Sequence, residues 1–448
     1  MTRRQFLATS AAGGASLAGA AAGAPALVAG DARVPAILGG APLRTRPFPR
    51  WPRFDADDEK AVLPVLRAGV WSRDTLVSEA ERRFAELMGS PHCLATCNGT
   101  NAILTSLVAL GVGPGDEVIT TPYTFVATIQ PILLLGALPV FVDVDPDTWQ
   151  IDPAGIEARV TPSTKVLLPV HILGGVCDMD RIGAIAARRR LKVVEDACEA
   201  HLAEWKGKKA GTFGDLGCFS FQTGKSLACG EGGAILGRDA DLMDRCYSIH
   251  NLGRPRGRMP RDKGGYPIVA LKSRMAEYQA AILISQMRRV VDETALRAAN
   301  AAHLTARLAE IPGIVPRRDY PDVTRKAFYY YGFRYRLEAF DGLSRDCFLA
   351  ALQAEGVPAS KGLGVVEDRG MNKEGLIEHA LTSRAYQRVY PKQTLASYAA
   401  DNECPLSDRL CQESVGFHQR LLLGTREDMD DIANAVLKLY ENRVSLVA

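Results

Sequence analysis

Lys225 stands in the run Ser220-Phe221-Gln222-Thr223-Gly224-Lys225 and is followed by Gly230-Glu231-Gly232-Gly233. A lysine in a glycine-rich turn has both the amine and the open space to form a Schiff base with an aldehyde. Upstream, the β-branched run Lys192-Val193-Val194-Glu195 delivers Asp196, a carboxylate at a strand end that can hold a pyridinium nitrogen protonated. A Schiff-base lysine and an acidic partner for a ring nitrogen are the two protein anchors of pyridoxal 5'-phosphate chemistry. The pair points to an enzyme.

Other residues fit around such a cofactor. Cys97-Asn98-Gly99-Thr100-Asn101-Ala102 opens a helix. Asn98 or Thr100 can cap it, Gly99 lets a phosphate approach the backbone, and the helix dipole favours the anion. Ser220 offers a hydroxyl to the same phosphate. In Pro122-Tyr123-Thr124-Phe125 the Phe125 ring can lie flat on a pyridine, as offset aromatic pairs prefer; a core phenylalanine is the competing assignment. Glu199 lies close to the pyridine position. His201 either orients Asp196 or is a satisfied core histidine. Asn251 is a neutral donor in the loop His250-Asn251-Leu252-Gly253-Arg254, whose arginines can meet an anionic substrate.

Elements of two kinds must position these residues. Between Asp55 and Val290, short β-branched runs (116–120, 138–143, 164–170, 191–196) alternate with helical stretches such as Asp180 to Arg189. That alternation predicts an α/β fold with a mostly parallel sheet covered by helices. Ligands in such sheets sit beyond the carboxyl ends of the strands, where Asp196 and the 122–125 segment fall. Beyond Met275 the pattern changes to a long helical stretch from Glu277 to Leu308, an aromatic strand from Phe328 to Tyr335, and an amphipathic helix from Glu427 to Glu441. The division this predicts is a signal at 1–30, an N-terminal extension at 31–54, a large cofactor-binding domain at 55–295 and a smaller α+β domain at 296–448.

Composition sets the outer bounds. The chain has 448 residues, a formal net charge of +3 and 23% charged residues, which leaves no basic stripe for nucleic acid. Arg3-Arg4 precede Phe6 to Gly30, a stretch without charge but rich in Ala and Gly. Paired arginines before a weakly apolar run resemble a twin-arginine signal, which implies export in folded form and no membrane span in the mature chain. The ten cysteines show neither a CxxC pair nor metal spacing and read as buried thiols. Cys404 and Cys411 are the one disulfide candidate.

In this order the motifs resemble the DegT/DnrJ/StrS sugar aminotransferase family. The match runs from about Trp71 to Tyr440 through Asn98-Gly99-Thr100, Thr124-Phe125-Val126-Ala127-Thr128, Asp143-Val144-Asp145, Val170-His171, Glu195-Asp196-Ala197, Lys225 and Gly230-Glu231-Gly232-Gly233. The resemblance implies a fold-type-I homodimer with sites at the subunit interface. In it Lys225 carries the cofactor, Asp196 pairs with its ring nitrogen, Gly99, Thr100 and Ser220 hold the phosphate, and Asn251 reaches the neighbouring subunit's phosphate. It implies transfer of an amino group from glutamate or glutamine to a keto-sugar or, by similarity to the scyllo-inosose branch, a keto-cyclitol. Glu199 stands where the family commonly has Gln, and Leu202 where a Gly usually follows the landmark His. A PLP-dependent sugar dehydratase and a catalytically silent binding scaffold are the alternatives. The dehydratases carry His in place of Lys225, and a silent scaffold has no need of the Lys225/Asp196 pair.

Overall fold

The computed structural model describes residues 31–447 apart from 260, 263 and 363–367. The expected twin-arginine signal, at 1–30, lies outside the described residues. Among the described residues, no helix is long and apolar enough to cross a membrane.

A seven-stranded sheet forms the centre. Its strands are β1 (His92–Thr96), β2 (Glu117–Thr120), β3 (Leu138–Phe141), β4 (Thr164–Leu167), β5 (Lys192–Asp196), β6 (Leu216–Ser220) and β7 (Gly233–Gly237), in the order β1-β7-β6-β5-β4-β2-β3. Every neighbouring pair from β6 to β3 is parallel, and only β7 runs against the rest. The expected α/β fold is the one observed. Strands buried on both faces read as near-continuous apolar runs, and β3, β6 and β7 are buried at every position. Helices α1 (Ala56–Ala68), α2 (Thr75–Met88), α3 (Gly99–Ala109), α4 (Val126–Leu134), α5 (Met179–Arg189) and α6 (Ala240–His250) accompany the sheet. Phe84 of α2 meets Phe219 and Phe221 edge-on, at centroid distances of 5.1 and 5.0 Å.

The helical stretch expected from Glu277 to Leu308 is two helices, α7 (Glu277–Met287) and α8 (Val290–Leu308). The break falls where Arg288 and Arg289 turn to the acidic start of α1. Arg288 pairs with Asp57 at 2.7 Å, and Arg289 pairs with Asp55 and, at 3.1 Å, with Asp58. Position 295/296 lies inside α8. Val290 of that helix packs in the large core, whereas Leu304 and Leu308 pack in the core of a second sheet. That sheet is antiparallel, in the order β8 (Ile314–Pro316), β9 (Tyr330–Tyr335), β11 (Ser414–His418), β10 (Ser360–Lys361). Phe333 and Phe417 face α8 and α9 (Arg426–Glu441) across it. The extension at 31–54 is tied to α9 by Arg44, whose guanidinium meets Asp428 at 2.6 Å and Asp431 at 2.7 Å.

All ten cysteines are free thiols. Cys404 is the N-cap of, and Cys411 lies within, one short helix over Pro405–Glu413. Seven residues of helix rise about 10.5 Å, beyond disulfide reach.

Candidate active site

Strand alternation separates two adjacent carboxylates. Glu195 and Asp196 point to opposite faces of β5. Glu195, with no exposed surface, takes the N–H groups of Gly211, Phe213 and Gly214, each at 2.7 Å, and meets His171 Nε2 at 2.9 Å. His171 Nδ1 accepts the Cys177 N–H, so the imidazole proton sits on Nε2 and is donated to Glu195. This buried cluster locks the turn after β5 in place.

Asp196 faces a cavity of about 400 Å³. Its backbone is fixed from both sides: its N–H donates to Pro169 O and its C=O accepts from His171 N–H. Its side chain accepts the Thr128 hydroxyl at 2.8 Å and the Cys198 N–H at 3.2 Å, and the Thr124 and Thr128 hydroxyls are 2.7 Å apart. His201 does not orient Asp196. Its Nδ1 lies 3.3 Å from Ser226 Oγ, its ring tilts against Phe219 and Phe221, and it is a core histidine. The orienting group is Thr128, on the first turn of α4, visible in the sequence only as part of a longer motif. A Thr128→Val enzyme keeps the shape and loses one hydrogen bond to a charged group, worth about 1.5–3 kcal/mol. Its kcat is expected to fall at least about tenfold with KM little changed, and Thr128→Ser is expected to restore it. Steady-state kinetics of the two variants decide the point.

Burial, with the Lys225 charge adding to it, lowers the His201 pKa to about 3. An unfolded histidine titrates near 6.5, so the unfolded chain alone binds this proton between those values. Stability from this residue is complete above about pH 6.5 and is lost as pH falls toward 3. Replacement by Phe is therefore expected to flatten the fall in unfolding free energy over that window by one proton, about 1.4 kcal/mol per pH unit. Urea unfolding of both proteins at pH 7.5 and 5.5 measures this.

Lys225 enters the same cavity from a turn that three parts of the chain hold. Its N–H donates to Gln222 O, Trp51 Nε1–H of the extension donates to Thr223 O at 2.9 Å and Lys225 O at 3.1 Å, and His418 Nε2 reaches Gly224 O at 3.1 Å. Lys225 Nζ lies 3.1 Å from Glu199 Oε1 and 3.9 Å from the centre of the Tyr329 ring. Burial pulls the amine's pKa down, but the Glu199 carboxylate outweighs it, and the pKa ends above its ordinary value. Tyr329 belongs to the aromatic run noticed as a strand; nothing in its spacing marked it as part of the site.

The remaining expected residues divide. Gly99, Thr100, Phe125, Ser220 and Glu199 line the cavity with Lys225 and Asp196. Asn98 caps α3, its Oδ1 accepting the Asn101 N–H at 2.8 Å, which leaves the Gly99 and Thr100 N–H groups without helical partners. A Cβ on Gly99 would lie 2.8 Å from Cys198 Sγ and 2.9 Å from Ser220 Cβ, so the glycine is needed to seat α3 on β6 as well as to open the backbone. Phe125 is 42% exposed on the cavity wall, where a core phenylalanine would be covered. Asn251 does not line the cavity of its own chain. It caps the end of α6, buried, with an Oδ1 that has no partner among the described residues. Leu202 adopts a positive φ of 66° and buries its side chain in the large core, off the cavity. The backbone keeps a conformation suited to glycine, and packing compensates.

A model of the DegT/DnrJ/EryC1/StrS aminotransferase family matches residues 52–362. The L-glutamine:2-deoxy-scyllo-inosose aminotransferase of Streptoalloteichus tenebrarius is 36% identical over 425 residues, covering 91% of this chain and 98% of that protein. The enzyme of the same name from Streptomyces kanamyceticus is 35% identical over 424 residues, covering 91% and 97%. Among solved structures, 3-amino-5-hydroxybenzoic acid synthase superposes with a TM-score of 0.75 at 31% identity, covering 90% of this chain and all of that one.

Proposed function

The chain belongs to the DegT/DnrJ/EryC1/StrS aminotransferase family, and from that premise we propose that it uses pyridoxal 5'-phosphate to move the amino group of L-glutamine to a keto-cyclitol related to scyllo-inosose. The observation that carries the reading is the convergence of Lys225 Nζ, the Asp196 carboxylate and the free N–H groups opening α3 on one cavity of about 400 Å³.

The residues present fit the cofactor. The Gly99 and Thr100 N–H groups and the Ser220 hydroxyl would hold its phosphate, Asp196 its ring nitrogen, Phe125 a ring face and Lys225 its aldehyde carbon. Bound there, the cofactor supplies an electron sink and a carrier for the amino group. The chain supplies the rest. Asp196, positioned by the Thr128 hydroxyl and Cys198 N–H it accepts, favours a positive charge opposite it. Lys225 Nζ takes the proton from the α-carbon of the amino donor and returns it as general acid. Phe125 and Tyr329 supply aromatic surface to the cavity wall.

The long cover of the scyllo-inosose aminotransferases, at 90% or more of both partners, favours a cyclitol over a nucleotide-linked sugar. Incubating the purified mature enzyme with L-glutamine and 2-deoxy-scyllo-inosose is expected to give the amino-cyclitol by mass spectrometry, faster than with L-glutamate. No product with any keto-cyclitol, alongside turnover of a nucleotide keto-sugar, would overturn the substrate class.

The enzyme is further proposed to act as a homodimer in which Asn251 serves the partner's site. Inactive Lys225→Arg and Asn251→Ala chains, mixed, should then recover activity; no recovery counts against a shared site. The paired Arg3-Arg4 and uncharged 6–30 run support export in folded form by the twin-arginine route. Retention of an Arg3→Lys, Arg4→Lys chain inside the cell, with export of the parent, tests that.

A further inference from the structure

The contact between Glu199 and Lys225 suits a carboxylate facing an ammonium. Glu199 is 6% exposed. Its Oε2 accepts the Leu173 N–H at 2.8 Å, and its Oε1 faces Lys225 Nζ at 3.1 Å. Leu173 holds a positive φ of 57° in the turn Ile172–Gly174, a left-handed conformation unfavourable for a leucine. The turn is locked in it: Leu173 O accepts the Tyr329 N–H, and a Cβ on Gly174 would lie 2.7 Å from Ala327 O. The backbone thus presents a donor to one Glu199 oxygen while the lysine presents donors to the other. A glutamine has one acceptor oxygen and one NH2. Either way round, its NH2 would meet another donor, Leu173 N–H or the Lys225 ammonium.

We propose that Glu199 is the proton partner of Lys225: it holds the amine as an ammonium in the cofactor-free enzyme and accepts the proton from Nζ at Oε1 when the amine must act as nucleophile or base. The transfer is internal. The N–H bond at Nζ breaks, an O–H bond forms at Oε1, and ammonium plus carboxylate become amine plus carboxylic acid. No outside acid or base is needed.

Other groups facing the pair do not take this role. Burial raises the Tyr123, Tyr329, Tyr330 and Cys198 pKa values and lowers those of His201 and His418, so all six are neutral near pH 7. Asp196 is committed to Thr128 and Cys198. Glu231 also lines the cavity, but the carboxylate in contact with Nζ is that of Glu199.

The inference rests on the transaminase reading for its purpose, but its test needs neither cofactor nor substrate. Full-length, cofactor-free enzyme is labelled with acetic anhydride from pH 6 to 11, and acetylation of the Lys225 peptide is followed by mass spectrometry. The midpoint of that profile reports protonation, and accessibility alone does not move it. In Glu199→Gln the midpoint is expected to fall, with labelling at pH 8 at least tenfold faster than in the parent. Glu199→Asp, which keeps the charge but shortens the reach, is expected to lie between them and guards against a misfolded glutamine variant. Superimposed profiles for the parent and either folded variant would overturn the proposal. Transamination by the parent, assayed separately, tests the function itself.

Discussion

A Lys225→Arg enzyme is expected to lose transamination by about 10⁴-fold or more while unfolding within a few degrees of the parent. The structure separates two things Lys225 does. As a cation it satisfies Glu199 at 3.1 Å and rests on the Tyr329 ring, and an arginine, always charged, can keep both contacts. As an amine it must lose a proton, attack a carbonyl carbon and move the donor's α-proton, and a guanidinium does none of these. General acid–base action alone contributes about 10²–10⁴ in rate, and loss of the covalent attachment adds to that. The choice of arginine matters, because Lys225→Ala would strand the Glu199 carboxylate. Removing one member of a buried pair costs about 3–5 kcal/mol, which would confuse lost chemistry with lost fold. Thermal unfolding and a coupled glutamine assay on the arginine variant give the answer. Turnover within tenfold of the parent would remove Lys225 from the reaction.

The second large effect is on folding. Glu195→Ala is expected to destabilise the chain by about 3 kcal/mol or more, enough to make it poorly soluble. Three backbone N–H groups and His171 lose their acceptor at once, and each donor left without one costs about 1–3 kcal/mol where it is buried. The turn cannot relax to recover them. A Cβ on Gly211 would lie 2.3 Å from the Phe219 ring, and one on Gly217 would lie 2.0 Å from Gly211 O, which shows how tightly the 211–214 segment is pressed on β6. Domain stabilities of about 5–15 kcal/mol leave little margin. Chemical denaturation, or the soluble yield if the protein cannot be purified, reads the loss. Unchanged stability would mean that solvent replaces those contacts and the cluster is not structural.

Glu195 and Asp196 are neighbouring positions of the same strand end. Asp196 serves the cavity, while Glu195 on the opposite face fixes the backbone that aims it. Glu195→Asp, which keeps two acceptor oxygens for the four donors and shortens only their reach, is therefore a test of how far the position of Asp196 depends on the turn behind it.

Much of this protein is written locally. A lysine in a glycine-rich turn, an aspartate ending a β-branched run and a Gly-Thr helix start are each fixed by short-range chemistry, so their types and order point to the proposed cofactor, and the alternation of runs around them gives the α/β sheet without coordinates. The amphipathic tail reads correctly as a helix for the same reason, since its period depends only on the chain's own geometry. Long-range contacts decide the rest. Arg288 and Arg289 look like the polar side of one helix until the acids of α1 are placed beside them. Thr128 displaces His201 as the partner of Asp196 because β5 and α4 converge in space and not in sequence. The helices from Gly375 to Glu413, which had no distinct signature, cover edge strand β3: Tyr386 hydroxyl donates to Ala137 O and Asn402 Oδ1 accepts the Phe141 N–H, partners an exposed edge would otherwise lack. Glu199 is the sharpest case. In the chain it is a departure from a familiar pattern. Only the turn at Leu173 and the reach of Lys225, brought together by packing, give its two oxygens their separate donors.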